Sequence, residues 1–362
     1  MARYHFRAAG PDDDGALRAR MAADWMRGAL SVSFRREPSY FAGSALQGEA
    51  VQVHVGVDGG SGAVIGMGAR AMTQLFVNGQ PRRVGLLSDL RLAPEARGGT
   101  LVARGYKVLR QLHEADPVDF YVTAILDGNR AALQSLASGR AGLPSYRDFG
   151  RMLTPAIHLD LPRPALSAPG VLLRRAGDSD ATALHELLDR AARRRQFARV
   201  PQGLPPGLRM DDFFVAERGS RLVAALAAWD QQALRQTHIE AYTPWLAALR
   251  PLYNAAAALL PLKALPPPGG RIPYLYLASV AMLDDDLGLW RALLRHAYRE
   301  LRRGPWHYAI TALHESDPLA AALRDYRAIA AAGRLFVVHY AEGADAADRI
   351  DRRTPYLDMA RV

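Results

Sequence analysis

A short internal repeat constrains this chain more than any other feature. Arg7-Ala8-Ala9-Gly10, followed by Asp13, Ala16 and Leu17, returns as Arg174-Arg175-Ala176-Gly177, followed by Asp180, Ala183 and Leu184, at a constant offset of 167 residues. Both copies read as a strand, a turn rich in Gly and Asp with capping residues, and then an amphipathic helix. The order of elements after each copy repeats as well. Between them, Leu161 to Gly170 is a proline-rich linker. A chain of 362 residues is too long for one ordinary core. The predicted organisation is therefore two tandem domains of one fold, residues 1–160 and 171–362, joined by residues 161–170.

Composition narrows the class of function. With 49% hydrophobic and 23% charged residues the chain is globular in type, and no stretch approaches the roughly 20 apolar residues that span a bilayer. Met1 to Arg7 lacks the apolar core of a signal peptide, so a cytoplasmic protein without a membrane partner is expected. The absence of cysteine excludes disulfides, thiolate catalysis and Cys-ligated metals. The net charge of +10 raises the question of nucleic acid. Yet Lys107 and Lys263 are the only lysines, and the densest basic runs, Arg193-Arg194-Arg195 and Arg352-Arg353, have no interleaved aromatics. A solvated face is expected there and no nucleic-acid partner. A mildly positive surface would still attract an anionic coenzyme.

In the first half, Ala50–Val57 and Ala63–Val77 read as strands, and Asn78-Gly79 is a hairpin signal leading into Pro81–Leu92. A helix follows from Leu101 with Leu101, Gly105, Val108, Leu109 and Leu112 on a core-facing stripe. Phe120–Leu126 is the next strand, and a helix runs from Asn129 towards Ser138. In the second half, Phe213–Glu217 and Arg221–Trp229 form a predicted hairpin and Tyr274–Met282 a strand. A helix (Leu289–Leu301), a strand (Trp306–Leu313), a helix (Pro318–Arg327) and a closing strand (Arg334–Tyr340) complete it. The predicted class is mixed α/β (α+β), each half a mostly antiparallel central mixed sheet flanked by helices.

The run Leu92-Ala-Pro-Glu-Ala-Arg97-Gly98-Gly99-Thr100-Leu101 lies between a strand-like and a helix-like segment. A glycine-rich turn opening a helix presents unpaired N–H groups at the positive end of the helix dipole, and Arg97 adds a permanent cation. That combination suits a pyrophosphate.

These residues resemble the acyl-coenzyme-A motif of the GNAT superfamily of N-acetyltransferases, matching it at Pro94, Glu95, Arg97, Gly98 and Leu101 and departing from it at Thr100 and Val102. Asn129-Arg-Ala-Ala132 is similar to that family's Asn-x-x-Ala motif near the pantetheine arm. The resemblance implies that Leu90, Arg91 and Leu92 pair with the pantetheine amides. It further implies that Gly98, Gly99, Thr100, Leu101 and Val102 hold the pyrophosphate of acetyl-CoA, and that Asn129 lies by the arm. A thioester carbonyl would sit where two strands part, polarised by a strand N–H. An amine would attack it directly, without a covalent enzyme intermediate or a metal.

The same resemblance places an acidic group, here Asp89, where an ammonium is deprotonated or oriented; an ion pair with Arg91 or Arg70 is the alternative. The family's usual acid, a tyrosine seven residues after the motif asparagine, is replaced by Leu136. Tyr146 is the nearest substitute, unless it is a buried structural tyrosine. Phe34 to Phe41 falls where the family builds its acceptor site, so that Glu37 and Tyr40 would face a cationic amine; a loop anchored by Phe34 and Phe41 is the alternative. In the second half the coenzyme motif is absent: Asp284, Asp285 and Asp286 precede the helix and would repel a pyrophosphate. His307, His314 and His339 lack metal-ligand spacing and read as structural. The expected function is an acetyl-CoA-dependent N-acetyltransferase acting on a small-molecule or peptide amine, with a degenerate second copy. The alternative is a non-catalytic coenzyme-A-binding or scaffold protein of the same fold. Exposed sheet edges would permit a homodimer.

Overall fold

The computed structural model describes residues 3–28, 30–97, 100–136 and 143–362, with the backbone alone at position 135. The first half begins with β1 (Tyr4–Ala8), α1 (Asp14–Ala23), β2 (Leu30–Arg35), α2 (Tyr40–Ser44), β3 (Ala50–Asp58), β4 (Val64–Val77) and β5 (Gln80–Leu92). It continues with α3 (Leu101–Ala115), β6 (Tyr121–Leu126), α4 (Arg130–Leu136), β7 (Ser145–Leu153) and β8 (Ala156–His158). The second half opens with β9 (Leu172–Arg175), α5 (Ala181–Arg193), β10 (Phe213–Arg218), β11 (Arg221–Trp229), β12 (Gln236–Tyr242) and α6 (Pro244–Leu259). Then come β13 (Tyr274–Met282), α7 (Leu287–Leu301), β14 (Tyr308–Thr311), β15 (Leu313–His314), β16 (Ala328–Ile329), β17 (Ala332–His339) and α8 (Ala344–Asp348).

The repeated sequence makes the same tie twice. Arg7 grips Asp13 in a fork at 2.6 and 2.7 Å, and Arg174 grips Asp180 at 2.7 and 2.8 Å. In each copy the carboxylate also accepts the N–H of the turn glycine, Gly10 or Gly177, at 2.8 Å. An edge strand is thereby pinned to the start of its helix in both halves. The Asn78-Gly79 turn also forms as read, with φ of +53° and +76° at the two central positions, the conformation that a two-residue hairpin of native twist requires.

The strands form an eight-stranded sheet of order β1-β3-β4-β5-β6-β17-β7-β15 and a seven-stranded sheet of order β16-β8-β14-β13-β11-β10-β9. A ribbon of β2 and β12 joins the halves outside both. Pairing is antiparallel except between β5 and β6 and between β13 and β14. The closing strand of the second half, β17, does not return to its own sheet. It enters the first sheet, Val338 to Gly333 pairing with Tyr121 to Leu126 of β6 on one side and β7 on the other. In return β8 crosses into the second sheet between β14 and β16.

Leu335 and Val337 of β17 are fully buried, and the cluster they enter unites Leu75 and Leu86 of the first half with Phe197 and Leu357 of the second. Full burial of such a side chain contributes about 2 kcal/mol, so the junction is core rather than contact surface. The segment around Phe197 adds to it by pairing with β4 through two 2.8 Å bonds between Phe76 and Phe197–Ala198. No helix among the described residues is long and apolar enough to cross a membrane.

Several expectations need correction. On α3 the deepest residues are Leu101, Tyr106 and His113, whereas Val108, Leu109 and Leu112 are only half-buried, because the helix leans its Tyr106 side into the sheet. Pro318–Asp325 is a 3-10 stretch, shorter than the helix read there. The helix from Asn129 spans Arg130–Leu136, and its reading towards Ser138 lies outside the described residues.

Exchange of β8 and β17 predicts that the halves do not fold alone. Residues 1–170 produced as a fragment should lack a cooperative thermal transition, and adding residues 171–362 should restore one, as monitored by circular dichroism. Cooperative unfolding of the isolated fragment would contradict this.

Candidate active site

β5 and β6 run side by side for two residue pairs only, Gly85↔Tyr121 and Leu86↔Val122. The Tyr121 ring lies directly over Gly85: a Cβ there would come within 2.1 Å of the ring, so no other residue fits. The Tyr121 hydroxyl is fixed by Arg70 Nε at 3.1 Å and His113 Nδ1 at 2.9 Å. Beyond Leu86 the strands part, and the Thr123 hydroxyl donates to the Leu87 carbonyl at 2.8 Å where the gap begins. On its other side β5 bulges. Met67 pairs with Arg91 and Ala69 with Ser88, so Asp89 and Leu90 together oppose Gly68, with Asp89 at φ +54°. A bulge of this kind turns the strand and frees a backbone group from the ladder.

Beyond β5 the chain leads through Arg97 to Thr100 and α3. Thr100 precedes α3 without a side-chain capping bond, so the first-turn N–H groups keep no partner within the helix. Arg97 donates from Nε to the Leu92 carbonyl at 3.1 Å and pairs with Asp24 at 3.1 Å. Asp24 also takes Arg20 at 3.0 Å and lies 3.9 Å from Arg91. Three arginines thus share one carboxylate beside the positive end of a helix, and the surplus charge favours an anion. Arg97 is well exposed, so its pair with Asp24 is easily exchanged for another anion. Leu90 is exposed, Leu101 is buried, and Val102 packs into the apolar cluster beneath α3. Asn129 Oδ1 accepts the Ala132 N–H at 3.2 Å, capping α4. Gly98 and Gly99 lie outside the described residues.

Asp89 and Tyr40 come together, on a partner that was not anticipated. Asp89 pairs with Arg36 at 2.7 Å and accepts the Tyr40 hydroxyl at 2.9 Å, while the Arg36 guanidinium covers the Tyr40 ring at 4.8 Å. The carboxylate is only 9% exposed. Burial would raise its pKa, but Arg36 and Arg91 together with the Tyr40 hydroxyl outweigh it and hold the group below the ordinary carboxylate range. Burial, then the neighbouring Asp89 charge, pushes the Tyr40 phenol up. Of the partners read from the sequence, Arg91 acts on Asp89 through its charge from a place near Met21 and Asp24, whereas Arg70 is engaged with Tyr121 and Gln52.

Phe34 belongs to β2 rather than to a loop, and Tyr40 opens α2. Glu37 pairs with Arg18 at 2.5 Å, and its backbone N–H and C=O are both met by the Gln236 amide of β12 at 2.9 Å. Neither Arg36 nor Gln236 carried a local sequence signal, because each acts across the junction between elements distant in the chain.

Tyr146 lies in the cluster under α3, its hydroxyl against that of Tyr106 and its ring edge-on to Phe336 of β17. Burial keeps both phenols protonated, Tyr106 being pushed up to about 12. Leu136 is buried in the same cluster. His314 is fixed between the Phe149 carbonyl and Ser316, and no group of three or more His, Asp or Glu among the described residues could hold a metal ion.

In the second half the corresponding features are closed. β13 and β14 stay paired from Tyr274↔Tyr308 to Leu277↔Thr311. The strand bulges again, with Ser279 at φ +50°, but the Ser279 N–H meets Asp358 at 3.3 Å and the Val280 N–H meets the Tyr356 hydroxyl at 3.0 Å. Asp286 caps α7 by accepting the Leu289 N–H at 3.0 Å, and Asp285 is matched by Arg195.

The sequence matches no family model and no curated protein. Its fold matches solved structures. Saccharomyces cerevisiae N-myristoyltransferase with bound myristoyl-CoA is 10% identical at a TM-score of 0.58, over 94% of this chain and 80% of that one. A GCN5-related N-acetyltransferase from Sphaerobacter thermophilus is 14% identical at a TM-score of 0.56, over 100% and 99%. A glucosamine N-acetyltransferase region of a fungal multi-domain β-N-acetylglucosaminidase is 13% identical at a TM-score of 0.60, over 93% of this chain and 38% of that one.

The Asp89 pair makes a measurable prediction. Asp89→Asn leaves Arg36 buried without a counter-charge and should lower stability at pH 7 by about 3 kcal/mol in urea denaturation. Because the folded carboxylate titrates below its unfolded value of about 4, its contribution is present above that value and lost as the pH falls through the folded one. The variant should therefore show a shallower acid limb than the wild type.

Proposed function

Because the chain carries the GNAT fold, we propose that it is an acyl-coenzyme-A-dependent N-acyltransferase, with acetyl-CoA as donor and a primary amine of a small molecule or peptide as acceptor. The observation that carries this reading is the parting of β5 and β6 after Leu86 beside an uncapped helix start and the Arg20–Arg91–Arg97 group. The pantetheine would lie along β5 in the gap, pairing with the strand at Leu90 to Leu92 and passing Asn129. The pyrophosphate would displace Arg97 from Asp24 and take the N–H groups at the start of α3.

The thioester carbonyl would accept a freed N–H of the Asp89–Leu90 bulge, where negative charge builds as the amine attacks. Collapse expels the coenzyme thiolate, and the amine nitrogen loses its proton to solvent or to a base. Asp89, held as an anion by Arg36, is a weak base. In this reading it is a positioning residue that locks the bulge and draws a cationic amine towards it. Tyr146, protonated and in one cluster with Leu136, is the group available to protonate the thiolate in place of the missing tyrosine. The complete pairing of Asp89 also favours the second reading, a coenzyme-binding protein without turnover.

Calorimetric titration of acetyl-CoA tests the proposal. Wild-type protein should bind it, and Arg97→Glu should bind at least tenfold more weakly, since a carboxylate beside a pyrophosphate reverses the local attraction. Equal affinity in the two proteins would remove the assigned site. Binding without thioester consumption across a panel of amines would favour the second reading.

A further inference from the structure

The closed bulge of the second half borders a cavity of about 80 Å³, several times the roughly 10–15 Å³ that a single water needs. One wall is apolar, built by Leu188 and Ala192 of α5, Leu204 and Leu208 of the loop after it, and Val280 of the bulge. Three arginines, Arg195, Arg199 and Arg361, also line it. Arg195 is matched by Asp285 at 2.5 Å and Asp317 at 3.1 Å.

The other two have no carboxylate partner among the described residues. Arg199 donates only to neutral oxygens: the Thr73 hydroxyl at 2.6 Å and the carbonyls of Gln47 and Arg361. The Arg361 guanidinium rests over the Trp229 ring at 5.7 Å and makes no hydrogen bond or ion pair among the described residues. Asp358, which lines the same cavity, is engaged by the N–H groups of Ser279 and Ala360. Asp358 and, for Arg199, Glu49 offset these charges at longer range without forming an ion pair with them. Burial and then the like charge of Arg361 weaken the hold of Arg199 on its proton, as expected of two cations close together in a half-buried site.

We propose that this cavity binds a small monoanionic carboxylate with a short aliphatic tail, its head between Arg199 and Arg361 and its tail against α5 and Leu204. Guanidinium groups match the planar carboxylate with paired N–H donors, and the apolar wall takes the tail. The site is independent of coenzyme binding in the first half.

The test is titration of sodium valerate into the full chain, followed by calorimetry and by the shift in Tm, with n-pentanol and n-pentylammonium as neutral and cationic counterparts. Valerate should bind saturably, pentanol at least tenfold more weakly, and pentylammonium not at all. Arg361→Gln should weaken valerate roughly tenfold, the loss expected for one charge-assisted hydrogen bond. Leu204→Trp, at a position 42% exposed at the mouth, should abolish binding by filling the tail space and covers the case in which the arginine variant does not fold. The proposal is overturned if valerate does not bind saturably, if pentanol binds as well, or if either variant binds valerate like the wild type.

Discussion

The contact of the Tyr121 ring with the bare backbone of Gly85 sets the geometry on which the first half depends. Two parallel strands can approach here because one of them carries no side chain, and the ring that fills the space is held by Arg70 and His113. The network extends from α3, which supplies His113 and the Leu112 carbonyl, to β4, which supplies Arg70. Helix, strand and gap are therefore positioned as one unit. Parting of β5 from β6 follows one residue later, and the bulge at Asp89 turns β5 further. A cleft made this way is a property of backbone register, which makes it robust to the side chains that line it.

Comparison of the halves shows how such a cleft is lost. Each opening in the first half has a filler in the second: an added pair, Leu277 with Thr311, closes the strands, Asp358 and Tyr356 take the bulge N–H groups, and Asp286 caps the helix. The two bulge fillers, Asp358 and Tyr356, come from the segment that follows α8. The fold is retained because β17 and β8 make each sheet depend on the other half. A sheet that supplies the neighbouring core cannot be discarded when its own site closes.

The local features were legible in the sequence, and the reason is physical. The Arg7–Asp13 and Arg174–Asp180 ties, the Asn78-Gly79 turn and the strand boundaries around β3, β4 and β5 depend on residues a few positions apart. Hydrophobic period and turn chemistry report on that range. The destination of Arg334–Tyr340 was not legible, because a buried strand reads the same whichever sheet receives it. The partner of Asp89 was missed for a similar reason. Arg36 lies 53 positions away in a segment read as a loop, and its pairing is decided by how α2 sits on β5. Gly105, placed on the core-facing stripe of α3, is half-buried, and a Cβ there would meet Phe6 at 3.7 Å, an ordinary contact.

The arginine-rich composition takes on a different meaning inside this fold. Arg70 reaches the carbonyls of Leu112 and Asp116, Arg199 those of Gln47 and Arg361, and Arg235 those of Gly43, Ala360 and Val362. Each is buried or nearly so and binds several main-chain oxygens at once. A lysine, with three donors on a compact head, could not reach them in fixed directions, whereas a guanidinium offers five in a plane. In the run Arg193–Arg195 the first two side chains are exposed and Arg195 is largely buried, and the run is matched by Asp189, Asp284, Asp285 and Asp317. Much of the basic character thus serves to join loops and chain segments where two sheets meet. Arg36, Arg199, Arg235 and Arg361 at that junction face Asp89, Asp358 and, for Arg199, Glu49. A positive interior of this kind is tolerable because neutral carbonyls solvate it. It also predisposes the space between the halves to take up negative charge.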